Sequence, residues 1–315
     1  MSSRTTEWLV TYDGVRLRYG RWQVDKPKAV AVILTGRNEF VEKYDEIARE
    51  LNERQFDVWT LDWRGQGMST RALPNRQRGY VASFAWYLSD LRAFLQRIEE
   101  TTPDLPRFIF GHSMGGHITL RYLHDFPESV TAAVVTAPMI DMTTRRFPPG
   151  LARVVVELGM LSRLAHRYIP GMRDYDPSED LFDTNENTSD RDRFERRVRL
   201  LSENPELLLG GVTFGWLDAA FRSIALLQRP EYLRAVTTPL LMFAAMDDRV
   251  VNTSAIEHAA RDLPNCQLVH LHGSRHEVMH ENDRVRGEFW RHVDAFLAAH
   301  LPARIPKQRR RNAAR

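Results

Sequence analysis

The stretch FIFGHSMGGHITL, residues 108–120, constrains the chain more than any other. An apolar run enters it, a helical pattern leaves it, and one serine flanked by glycines stands between them. A continuous apolar run reads as a strand buried on both faces. Met114 to Phe126, stopped by Pro127, reads as a helix. Passing from one to the other at a single residue requires a strained turn whose neighbours lack side chains that would clash, and Gly111 and Gly115 meet that need. Such a turn projects the Ser113 hydroxyl and begins a helix directly behind it. The five-residue pattern alone is weak; its place between a strand and a helix gives it weight.

The rest of the chain repeats this alternation. AVAVILT (29–35), FDVWTLD (56–62), RFIFG (107–111) and VTAAVVTAP (130–138) are apolar runs, and helical patterns at 41–54, 84–98 and 114–126 lie between them. Strands alternating with helices predict a parallel, doubly wound sheet. WLVTYDGVRLRYGRW alternates around Asp13-Gly14 and reads as a hairpin. The rhythm breaks at about residue 141 and resumes with PLLMFAAM (239–246), a helix, CQLVHLH (266–272) and a last helix over about 281–300. Residues 1–140 and 231–302 are thus expected to form the core. Residues 141–230 are charged, helical in pattern and broken by prolines; they are expected to lie as a lid over the sheet's carboxyl edge, where ligands bind in open α/β sheets.

Composition removes several classes of function. Of the 315 residues 43% are hydrophobic and 27% charged, ample material for a core. One cysteine, Cys266, rules out an intrachain disulfide and a paired-cysteine zinc site, so no metal is expected. No signal-peptide pattern opens the chain, and no window approaches roughly 18 consecutive apolar residues, so a cytoplasmic protein is the expectation. Basic residues gather at the carboxyl end, in Lys307, Arg309, Arg310, Arg311 and Arg315. Residues 303–315 read as a basic, disordered tail able to touch anionic membrane at the inner face. Without a basic face elsewhere, nucleic acid is not an expected partner.

A serine hydroxyl attacks only if a base takes its proton, and that base needs an orienting carboxylate. In chains that carry the serine on such a strand-to-helix turn, these follow in the order Ser, Asp/Glu, His, each just after a late strand. PLLMFAAMDDRVV supplies Asp247 and Asp248; Asp248 is preferred because Val250-Val251 behind it can anchor the loop while the carboxylate turns inward. His270 and His272 lie within the apparent strand, His292 and His300 on the last helix and His280 near its start, which leaves His276 in the loop as the base. Oxyanion donors should come from the Met114 N–H and from the loop Thr35-Gly36-Arg37-Asn38, with the Arg37 N–H as second donor.

With these residues in place, the chain resembles the α/β-hydrolase fold, in the branch of monoacylglycerol lipases and bacterial lysophospholipases of the L2 type. GHSMGG resembles that family's nucleophile turn at Ser113, LDWRGQGMS (61–69) its D-x-R-G-x-G-x-S loop, and MDDRVV and GSRHEVMHE its aspartate and histidine motifs at Asp248 and His276. NPELLLGGVTFGWLDAAFRS (204–223) is similar to the L2 lid. Many relatives carry His-Gly in the first oxyanion loop, where this chain has Thr35-Gly36-Arg37; GRNEFVEKY resembles the L2 form. The Arg37 side chain could contact a phosphate or form a structural ion pair. The resemblance implies a serine esterase cleaving one acyl ester of a lipid-like substrate, a lysophospholipid or monoacylglycerol, without a cofactor. Phe214, Trp216 and Leu217 are candidates to line an acyl tunnel, or to be helix core. The same machinery also suits a small-molecule carboxylesterase or an aminopeptidase. A binding module that kept the fold but not the chemistry is the third reading, disfavoured because no triad member is missing.

Overall fold

The computed structural model describes residues 3–143 and 149–302, so the basic tail at 303–315 lies outside the described residues. Arg4–Val10 (β1) and Arg16–Trp22 (β2) form the expected hairpin, antiparallel with Val10 opposite Arg16. Ala29–Leu34 (β3), Asp45–Glu53 (α1), Phe56–Leu61 (β4), Ala85–Thr101 (α2), Arg107–His112 (β5), Met114–Asp125 (α3) and Ala132–Thr136 (β6) follow in strict alternation. Next come Pro149–Leu161 (α4), Arg191–Glu203 (α5), Phe214–Leu227 (α6) and Pro230–Arg234 (α7). Leu240–Ala245 (β7), Thr253–Asp262 (α8), Cys266–Leu271 (β8) and Asp283–His300 (α9) complete the chain.

The strands form one eight-stranded sheet in the order β1-β2-β4-β3-β5-β6-β7-β8. From β4 to β8 neighbouring strands are parallel; the β1–β2 and β2–β4 pairs are antiparallel. Every residue of β3, β4, β6 and β7 is buried, as their unbroken apolar runs require when both faces are covered. The two faces are separate layers. Val30, Val32 and Leu34 pack with Leu91 of α2, Ile118 of α3 and Ile256 of α8. Ala31 and Ile33 face the other way, toward Ile47 and Leu51 of α1 and Phe289 and Val293 of α9.

Between β6 and β7 the described residues form helices and short turns, with isolated bridges only. The last helix of this segment, α6, is tied to the body: Trp216, Ala219, Ala220 and Ile224 join the core layer of α2 and α3. Its other side meets α4 so closely that a Cβ on Gly159 would lie 2.2 Å from the Phe214 ring. Thr213 caps α6 by accepting from the Trp216 N–H at 3.2 Å, while its hydroxyl donates to the Gly79 carbonyl at 2.7 Å.

Two glycines make opposite demands and test this packing. A Cβ on Gly115 would sit 2.0 Å from the Leu34 carbonyl oxygen, whereas Gly287, exposed on α9, has open space around it. Gly115→Ala is expected to lower stability by roughly 3 kcal/mol or more through backbone overpacking. Gly287→Ala is expected to raise it by about 1 kcal/mol through helix propensity. Urea unfolding midpoints check both; equal midpoints for the two variants would contradict the close approach of α3 to β3.

Candidate active site

Ser113 sits at the join of β5 and α3 with φ 51° and ψ −113°, a left-handed conformation that costs a non-glycine residue of order 1–3 kcal/mol. Surrounding hydrogen bonds impose it: Ser113 N–H donates to the Thr136 carbonyl at 3.0 Å, and its own carbonyl accepts from His117 at 2.9 Å and Met139 at 3.1 Å. Glycine at 111 is equally forced, since a Cβ there would come within 2.5 Å of Thr119 Oγ1.

The turn aims the Ser113 hydroxyl at His276, whose Nε2 lies 2.9 Å from Ser113 Oγ. On the far side of the ring, Nδ1 stands 2.7 Å from Asp248 Oδ2. A neutral imidazole with its hydrogen on Nδ1 satisfies both contacts, donating to the carboxylate and accepting from the hydroxyl. The other oxygen of Asp248 accepts from the N–H groups of Val250 at 2.7 Å and Val251 at 3.1 Å, so the pair anchors the carboxylate by backbone. Burial raises the Asp248 pKa, but His276 and these N–H groups more than offset it and hold the carboxyl below its ordinary range. Asp247 is exposed; only its N–H is engaged, to the Ser274 carbonyl.

The loop after β3 is built to keep its backbone open. Gly36 N–H is bound by the Glu39 carboxylate, Asn38 N–H donates to Gln66 Oε1 at 2.8 Å, and the Thr35 carbonyl accepts from Trp63 Nε1 at 2.9 Å. Between them, the N–H groups of Arg37 and Met114 have no acceptor among the described residues. Gln66 also reaches Met114 Sδ at 3.6 Å, which links the loop after β4 to the serine turn. That loop hangs on Asp62, fully buried, which accepts from Val41 and Met68 N–H and pairs with Arg18 at 2.7 Å.

A buried charge cluster beneath the site is not apparent from the sequence pattern. Lys43 Nζ lies 2.6 Å from Glu39 and 2.7 Å from Glu277, the residue after His276. The lysine therefore bridges the loop of Arg37 to the loop of His276. Burial raises both carboxyls, yet Lys43 holds them below their ordinary values. Glu39, Glu277 and His280 offer ligand atoms within 4.8 Å of one another. The lysine ammonium already stands between the two carboxylates, so the cluster reads as an ion-pair bridge. The only sequence signal was position: Glu39 and Glu277 stand beside Arg37 and His276 in the quoted motifs.

Arg37 forms no structural ion pair with a carboxylate among the described residues. Its Nη2 donates to the carbonyls of Gly210 and Gly211, both at 2.7 Å, and its guanidinium lies 5.1 Å from the Trp216 ring centroid. Phe214, Trp216 and Leu217 are all buried in α6. Trp216 packs on Phe84 at 5.8 Å between ring centroids, so these residues join the helical segment to the body.

Comparison with known proteins follows from this geometry. The family described as "serine aminopeptidase, S33" matches the chain over residues 25–283. Lysophospholipase L2 of Escherichia coli is 29% identical over 299 residues, covering 91% of this chain and 86% of that protein. A monoacylglycerol lipase of Mycolicibacterium smegmatis is 27% identical over 292 residues, covering 90% and 94%. A soluble variant of monoglyceride lipase from Saccharomyces cerevisiae, solved with a substrate analog, superposes with a TM-score of 0.77 at 20% identity over 96% of this chain and 97% of that one, a likeness of fold.

The buried histidines give the site a pH signature. Burial pushes His112 down to about 4, His117 to about 3 and His280 to about 3, so all three stay neutral in the folded chain. Unfolded, each titrates near its ordinary value of about 6.5. As pH falls from 7 to 5.5 the unfolded chain takes up protons that the fold refuses, and stability must fall with it. Urea midpoints measured across that window should decline, while ordinary carboxylates stay ionised in both states. A flat profile would contradict the burial of these rings as neutral groups.

Proposed function

The chain belongs to the serine aminopeptidase S33 family of hydrolases, and from that premise we propose that it cleaves the single acyl ester of a glycerolipid through Ser113. The observation that carries the reading is the continuous hydrogen-bonded line from the Ser113 hydroxyl through His276 to Asp248. Ser113 Oγ attacks the ester carbonyl carbon as its proton passes to His276 Nε2. The carbonyl oxygen takes the negative charge and is held by the N–H groups of Met114 and Arg37. Collapse breaks the bond to the alcohol, which leaves with the proton from His276. Water, deprotonated by the same nitrogen, then attacks the acyl-serine and releases the fatty acid. Asp248, kept ionised, orients the ring and stabilises its charged form. No step calls for a metal or an organic cofactor.

The glycerolipid substrate is supported by relatives named lysophospholipase and monoacylglycerol lipase that align over nine-tenths of the chain. In this reading residues 141–230 act as the lid, and Phe214, Trp216 and Leu217 form the buried wall beneath which the acyl group lies. The family description keeps the aminopeptidase alternative in view, and a panel of lysophospholipids, monoacylglycerols, short p-nitrophenyl esters and aminoacyl amides decides between them. Peripheral contact with anionic membrane belongs to the same reading. No helix among the described residues is long and apolar enough to cross a membrane. The exposed Leu151, Val154, Leu158 and Leu161 lie along one face of α4, and the basic carboxyl tail could add attraction.

Kinetics test the assignment directly. Ser113→Ala and His276→Ala should each lower kcat by about a millionfold. Asp248→Asn should lower it by about ten-thousandfold, because the wrong tautomer is then held toward the serine. Asp247→Asn should be mild. A severe Asp247→Asn with a mild Asp248→Asn would overturn the carboxylate assignment. For the membrane, removing the residues after Leu301 should weaken co-sedimentation with anionic vesicles, and added salt should mimic the cut by screening. Equal sedimentation of both forms at low salt would eliminate the tail's role.

A further inference from the structure

Arg37 is a half-buried cation with no carboxylate partner among the described residues, and its Nε is shut off from solvent. The ionisable groups that act on it most are the tyrosines Tyr87 and Tyr168, and burial pulls its pKa down to about 10, leaving it charged at neutral pH. Two carbonyls and an aromatic face compensate it in part. Its Nε has no partner, and neither has the buried Oδ1 of neighbouring Asn38. A charge partly withdrawn from water without a counter-charge is costly. A lid latch alone needs only a neutral donor to the Gly210 and Gly211 carbonyls.

Arg37 and Asn38 line a cavity of about 360 Å³ whose other walls are residues 171–176, Glu179, Asp180 and Leu209–Gly211. Two of its acids are already neutralised, Glu179 by Arg173 and Asp180 by Arg197. Asp174 and Asp176 are exposed and take neutral donors only, from Asn75 and Tyr168 and from Ser178 respectively. The cavity thus brings the Arg37 guanidinium and two exposed carboxylates to one lining, with Arg173, the partner of Glu179, also attracting Asp176.

We propose that this cavity is a head-group subsite for a zwitterionic lysophospholipid, in which the phosphodiester pairs with Arg37 and the ammonium of an ethanolamine or choline group lies against Asp174 and Asp176. Guanidinium suits a phosphodiester because it is a permanent cation rich in donors; with Nη2 held by the two carbonyls, Nη1 is the nitrogen left to meet a phosphate oxygen. The inference rests on the glycerolipid reading, in which the Arg37 N–H holds the ester oxyanion. One residue then serves the reacting carbonyl through its backbone and the head group through its side chain. A monoacylglycerol, with a hydroxyl where the phosphate would be, leaves the guanidinium unpaired. The site therefore selects lysophospholipids.

Two measurements test it. The first compares kcat/KM for lysophosphatidylethanolamine and for a monoacylglycerol of equal chain length. Arg37→Gln, which keeps the backbone N–H and a carbonyl-binding donor, should lower that ratio by at least about tenfold. Asp174→Asn with Asp176→Asn, both exposed, should lower lysophosphatidylethanolamine turnover relative to lysophosphatidylglycerol, whose head group has no ammonium; this pair carries the test if Arg37→Gln does not fold. The second is calorimetry of the Ser113→Ala protein with soluble glycerophosphoethanolamine, which should bind and should lose affinity when Arg37→Gln is added. Unchanged ratios, or glycerophosphoethanolamine binding no tighter than inorganic phosphate, would overturn the subsite. Binding by Ser113→Ala, in a protein whose active form cleaves neither ester, would uphold the cavity and sink the hydrolytic reading instead.

Discussion

The structure depends on one close approach: the first turn of α3 lies against the ends of β3 and β5 with no room for side chains. Gly115 rests on the Leu34 carbonyl and Gly111 on the Thr119 side chain. That contact forces Ser113 into its positive φ and brings the free Met114 N–H beside the loop that carries Arg37. The rest of the fold supplies the force that keeps the strained turn in place. Two buried layers clamp the sheet, and the parallel register from β4 to β8 brings the ends of β3, β5, β7 and β8 to one edge, where the Ser113 hydroxyl, the Asp248 carboxylate and the His276 imidazole meet.

A second layer of order is electrostatic. The loops after β3 and β8 come from opposite halves of the chain, and Lys43 binds them together through Glu39 and Glu277. Two carboxylates and an ammonium in so dry a setting fix position more than they add stability, since their desolvation offsets much of their attraction. The consequence is geometric: the Gly36 turn, held by Glu39, and the His276 ring, one residue from Glu277, share a single anchor. Arg37, in the same loop, reaches the carbonyls of Gly210 and Gly211 and so adds one of several links between the site loops and the helical segment.

Much of this was legible in the sequence because the features are local. Apolar runs of fixed length gave the strands of the parallel sheet, and the Asp13-Gly14 pair gave the hairpin. Ser113, Asp248 and His276 stood out by their order and by their place just after strands. The choice of Asp248 over Asp247 followed from Val250-Val251, whose N–H groups hold its carboxylate. What could not be read depends on contacts between distant segments. Lys43 pairs with a residue more than two hundred positions away, and the guanidinium of Arg37 meets carbonyls at 210 and 211. Trp216 illustrates the same limit. Its helical spacing suited either core or tunnel, and only its packing on Phe84 and Arg37 shows how firmly α6 is set into the body.

The central claim is that hydrolysis passes through a covalent acyl group on Ser113. The most direct measurement mixes the protein with a long-chain p-nitrophenyl ester, quenches it in acid within milliseconds and maps the acylated peptide by mass spectrometry. The account predicts one acyl group per chain, on the peptide containing Ser113, formed together with a burst of nitrophenol. Turnover with no acylated peptide, or with the acyl group on another residue, would contradict it.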